Sequence, residues 1–172
     1  MMSENERLHL VELAALLAND NEQAVATIKL LVEKPEEFEE KFADWLYETD
    51  FSVFEDTKII AAYLLTGYEL GNSQQFGAYI DWKEETDEIL KSLEFVTKNK
   101  GYSVDFKNEH FDQKNTQNAL YEISNFLKNK GFLLIYWDTD SDSYHLFIVA
   151  LSDFDKLISL GNELGIEFKK EY

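Results

Sequence analysis

Over the first 70 residues apolar side chains recur every three or four positions, the spacing that gathers them on one side of a helix. Ser3 and Glu6 form a capping box ahead of RLHLVELAALLA. NDNE interrupts that run, and Asp20 or Asn21 is placed to cap EQAVATIKLLVEK. Pro35 opens a third predicted helix, PEEFEEKFADWLYET, at the position where a missing amide hydrogen costs nothing. Its first turns are acidic, and Phe38, Phe42, Trp45 and Leu46 form one apolar stripe, which marks Trp45 as a core residue. A fourth helix, EDTKIIAAYLLTGYELG, is predicted to end at Gly71.

Beyond GNSQQFG the pattern changes. FGAYIDW reads as a strand, KEETDEILKSLEFVTKNK as a helix and GYSVDF as a short strand apolar on one face only, the mark of a sheet edge. DQKNTQNALYEISNFLKNK reads as a further helix. GFLLIYWD and SYHLFIVAL follow as strands, then the helix DFDKLISLGNEL and a short GIEFKK. In FLLIYW and HLFIVAL both alternating sets are apolar, so these strands are expected at the centre of a sheet covered on both faces. KNKGYSVDF and KNKGFLLIY recur 30 residues apart, with NELGIEF echoing them; the shared content is a helix end closed by glycine in the left-handed conformation. The expectation is an α+β chain forming a single domain over residues 1–172. A helical part, residues 1–70, precedes an α/β part, residues 76–172, whose mixed sheet of about four or five strands carries helices on both faces.

Composition narrows the function classes. The absence of cysteine removes disulfides, thiolate nucleophiles, zinc ribbons and iron–sulfur clusters. The start, MMSENERLHL, lacks the features of a signal peptide, and the apolar runs fall far short of the ~20 residues that span a bilayer, so a cytoplasmic location is expected. With 34 acids against 16 bases the net charge is −18, which repels phosphate backbones and anionic lipid and favours a basic protein partner over nucleic acid or membrane. Arg7 is the only arginine, so an arginine clamp for phosphate or carboxylate is not expected.

Chemistry concentrates in YWDTDSDSYHLF, residues 136–147. Asp138, Asp140 and Asp142 copy the first three ligand positions of a calcium loop. The glycine and the bidentate glutamate that complete one are replaced by Ser143 and Val149, and the loop is rejected. A hairpin turn fits better. A three-residue loop, Asp140 to Asp142, sets Trp137 opposite His145; a two-residue loop sets Tyr136 there. Asp81–Trp82 ends the earlier strand with the same pairing of acid and indole, and if the two strands run parallel these ends share one edge of the sheet, where ligands commonly sit. Asp81, Trp82, Trp137, Asp138, Asp140, Asp142, Tyr144 and His145 are therefore the candidate binding residues. Asp81, Asp138, Asp140, Asp142 and His145 form the alternative, a metal site, with Lys83 the nearest internal cation to offset the carboxylates. No phosphate loop, dinucleotide fingerprint, G-x-S-x-G elbow or H-E-x-x-H pair occurs; His9 reads as a boundary residue of an amphipathic helix, and His110 has no partner in sequence. No catalytic residue and no cofactor is assigned.

DWKEETDEI, WDTDSDSYHLFIV and ISLGNELGI together resemble a family of small bacterial proteins known only as a domain of unknown function, over residues 76–166. The resemblance implies a cytoplasmic α+β protein, supplies no activity, and marks Asp81, Trp82, Asp138, Asp142 and Tyr144 for attention. Two functions are carried forward. One is a non-catalytic interaction protein of the immunity or inhibitor kind that engages a basic partner; the other is a metal-dependent enzyme or metal-binding module built on the acidic cluster.

Overall fold

In the computed structural model, which describes residues 2–70 and 74–170, helices cover both faces of a four-stranded sheet. Helices α1 (Glu4–Leu17), α2 (Glu22–Glu33), α3 (Pro35–Lys41), α4 (Ala43–Thr49) and α5 (Thr57–Leu65) precede strand β1 (Ala78–Asp81). Then come α6 (Thr86–Asn99), α7 (Thr116–Asn129), β2 (Phe132–Trp137), β3 (Ser143–Ala150), α8 (Phe154–Leu164) and β4 (Phe168–Lys169). The strand order is β1-β3-β2-β4, and every neighbouring pair is antiparallel, so the sheet is not mixed as expected.

The pleat of β2 and β3 divides the interior in two. Leu133, Ile135, Trp137, Phe147 and Val149 meet α1, α2, α5 and α8, whereas Leu134, Leu146 and Ile148 meet α6 and α7. The N-terminal helices thus pack on the sheet and form one of its two covers. Ser3 and Glu6 close the predicted capping box on α1, and Asn21, not Asp20, caps α2 by accepting from the Ala24 amide at 3.0 Å. Trp45 is buried and its indole N–H donates to the Tyr68 carbonyl at 3.0 Å.

Three local expectations fail, each for a visible reason. The third helix divides at Phe42, whose ψ of 22° departs from the helix while its ring stacks on Phe38 at 4.5 Å. The fourth helix stops at Leu65, because Gly67 takes φ 68° and closes it: the Gly67 amide donates to Leu64 and the Tyr68 amide to Tyr63. Gly71, the predicted stop, lies outside the described residues. Residues 102–106 pair with no strand; Tyr102 lies against Phe132 and Phe106 against Phe126, so their apolar alternation serves packing. The glycine junctions themselves hold, with φ of 68°, 88° and 65° at Gly101, Gly131 and Gly165.

One buried cation completes the sheet. β1 pairs with β3 only as far as Leu146, after which the amides of Gly77 and Phe76 turn away to the Leu65 carbonyl. Gly77 passes so close to β3 that a Cβ there would lie 2.5 Å from the Leu146 carbonyl oxygen. Two residues further along β3, the carbonyl of Ile148 accepts from the Lys100 ammonium, which is buried beside the Tyr102 ring. Burial pushes the Lys100 pKa down to about 7, against the opposing pull of Asp153. The unfolded chain therefore holds this proton more tightly than the folded one between about pH 7 and the ordinary lysine value, and stability rises with pH through that window. Urea unfolding from pH 7 to 10 is expected to show this rise, approaching about 1.4 kcal/mol per pH unit, and Lys100→Met is expected to flatten it.

Candidate functional site

The C-terminal ends of β1 and β2 meet the N-terminal end of β3 at one end of the sheet. Both flanking strands run antiparallel to β3, with Asp81 opposite Ser143 and Trp137 opposite His145. Asp81 and Asp138 therefore share that end, but β3 lies between their strands, a lateral separation of ~10 Å. The Trp137–His145 register is the one a three-residue loop produces.

Two carboxylates at this end, Asp81 and Asp138, already have local work. Asp81 accepts from the Lys83 amide at 2.9 Å and closes the turn after β1. Asp138 accepts from the Asp140 amide at 3.0 Å and pairs with the Lys169 ammonium of β4, which holds its carboxyl below the usual carboxylate range. Asp140 takes φ 56°, and the Ser141 hydroxyl lies 3.0 Å from that of Thr139 and donates to the Ser143 carbonyl, so DTDSDS is a turn held by its own short side chains. Lys83 does not offset the acids; its ammonium sits 4.3 Å from the centre of the Trp82 ring. Among the described residues no three His, Cys, Asp or Glu side chains gather where one metal ion could be held.

The pleat separates the remaining candidates. Trp137 is buried in the core shared with α8 and meets Phe168 edge-on at 5.6 Å. His145, fully buried, lies on that same face. Its ring is 4.5 Å from that of Tyr63 and 5.3 Å from that of Tyr79, and the Thr66 hydroxyl is 3.4 Å from Nδ1. Its Nε2 has no hydrogen-bond partner, and burial lowers its pKa to about 4. The sequence offered little sign of this group, because Tyr63, Tyr68 and Tyr79 come from α5, the turn after it and β1.

Tyr144 points to the opposite face, where it meets Tyr136 edge-on at 5.3 Å. There it joins Trp82 and Asp142 in the walls of two shallow concavities. One, of about 350 Å³, lies between Trp82, Tyr144 and the Ser141–Ser143 lip; the other, of about 380 Å³, lies between Trp82, Tyr144, Lys83, Lys114 and the start of α7. Trp82 is 53 % exposed, on a turn tied to α7 by the hydrogen bond from Thr116 Oγ1 to the Glu84 carbonyl at 3.0 Å. Trp82, Asp142 and Tyr144 thus share one surface, while Asp81 and Asp138 brace the turns beside it. Lys114 and the cap residue Asn115, which reach it from just ahead of α7, went unrecognised because nothing in sequence ties them to β1.

Residues 9–172 match the family described as Domain of unknown function (DUF6630), and the chain belongs to that family. The match takes in nearly all of the helical part, which the short motifs did not reach. No curated protein and no solved structure matches the chain.

The buried imidazole gives an acid-side signature. The unfolded chain binds a proton at His145 below its ordinary pKa of 6.5, whereas the folded chain does so only near 4, so stability falls as pH drops through that window. Relative to His145→Phe, the wild type is expected to lose ~3 kcal/mol between pH 7 and 4 in urea titrations.

Proposed function

We propose that this family member is a non-catalytic interaction protein of the cytoplasm, and that it engages a basic protein partner through the Trp82–Tyr144 surface. The observation that carries the reading is Trp82 itself: a half-exposed indole on an anchored turn, beside a second aromatic, above two shallow concavities. Aromatic residues held rigidly at a solvent boundary are the usual energetic centres of protein interfaces, because they bury large area at little conformational cost. Open concavities of this kind suit a contact surface better than a reaction that needs water excluded.

Charge supplies the choice of partner. Asp81, Glu85 and Asp142 are exposed around the indole, and the net charge of −18 raises the encounter rate of a cationic partner and penalises an anionic one. Lys83 and Lys114 place two positive groups inside this field, which gives the surface a pattern able to distinguish among basic partners.

The test is quantitative capture by the immobilised chain from extract of its native cells, run beside Trp82→Ala and Tyr144→Ala. A basic protein is expected on the wild type, released by raised salt and indifferent to EDTA. Trp82→Ala is expected to weaken it about 30-fold, some 2 kcal/mol, with unaltered thermal unfolding. Equal capture by wild type and both variants rules out this surface, and capture abolished by EDTA moves the reading to a metal-dependent site.

A further inference from the structure

Another cavity lies far along the chain from these residues, at the junction of α1, α2, α3 and the segment before α5. It measures about 280 Å³, and its walls include Leu31, Val32, Val53 and Phe54. Arg7 lines it as well, with Nε donating to the Met2 carbonyl at 3.3 Å. Among the described residues no carboxylate lies within ion-pairing distance of this guanidinium, although the chain holds 34 acids. A lone arginine cannot make a multi-arginine clamp, but one planar fork is enough to hold one carboxylate in two parallel hydrogen bonds.

From this cavity we infer a binding site for a small apolar monocarboxylate, a short fatty acid being the type. The guanidinium takes the carboxylate and the apolar walls take the tail. At about 280 Å³ the space is of the size that takes a small ligand, and a medium-chain acid is the probe chosen for it. Glu33 and Glu36, both exposed, stand among the lining residues. They repel every anion, and a ligand with a second negative charge more strongly, so dicarboxylates and phosphates are disfavoured against a monocarboxylate. The apolar walls lie within the stretch matched to the family, and the guanidinium comes from two residues ahead of it. The inference is independent of the Trp82 surface.

Calorimetry and ligand-observed NMR on the intact chain test it with octanoate, octanamide and octanedioate. Octanoate is expected to bind saturably at one site, and the uncharged amide and the diacid at least tenfold more weakly. Arg7→Gln is expected to reduce octanoate affinity at least tenfold without changing the thermal midpoint. Phe54→Ala, at a half-exposed position, is expected to weaken octanoate and octanamide alike. Octanamide binding as well as octanoate, Arg7→Gln binding as the wild type does, or no octanoate binding at about 1 mM would each overturn the assignment. The amide comparison needs no substitution, so a variant that fails to fold does not blunt the test.

Discussion

The pairing of β2 with β3 is the constraint on which the other elements depend. Both strands are apolar on both faces, so the pair leaves water only if each face acquires its own cover. Helices α6 and α7 supply one cover, and the N-terminal helices with α8 supply the other. The helical part of the chain is therefore half of the sheet's enclosure. Because both faces are closed, the sheet approaches solvent only at its ends and edges, and Trp82 stands at one such end.

Much of this was legible because local chemistry decided it. The capping box at Ser3, the positive φ of the three junction glycines and the core role of Trp45 each follow from a few neighbouring residues, and of the two hairpin registers left open the structure takes Trp137 opposite His145. The failures lie where competing local signals or distant neighbours decided. Gly67, which the sequence reading passed over in favour of Gly71, closes the fourth helix through the Leu64 and Tyr63 carbonyls. Residues 102–106 alternate like an edge strand, but the path of β3 beyond Leu146 is occupied by the Lys100 ammonium and the close passage of Gly77.

The candidate site was legible in part for the same reason. The sequence brought attention to one end of the sheet, and Trp82, Asp142 and Tyr144 do share a surface there. Sequence adjacency misled at Tyr144 and His145, which the pleat sends to opposite faces, and at Asp81 and Asp138, which β3 holds apart. Lys83 was marked as a counter-charge for the aspartates and instead lies over the Trp82 ring. A sheet position fixes where a residue stands, but the pleat and the neighbouring strand fix what it can touch.

The Lys100 contact has a meaning for assembly as well as for stability. An open strand edge invites pairing with another chain, and sheets that stay separate blunt their edges. Here one outer strand has four residues and the other two, while the carbonyl left beyond β1 on the central strand is already taken by an ammonium from within. An incoming strand finds short edges and, at the gap, an occupied acceptor. The lysine thus acts as a stopper for the fold's own template.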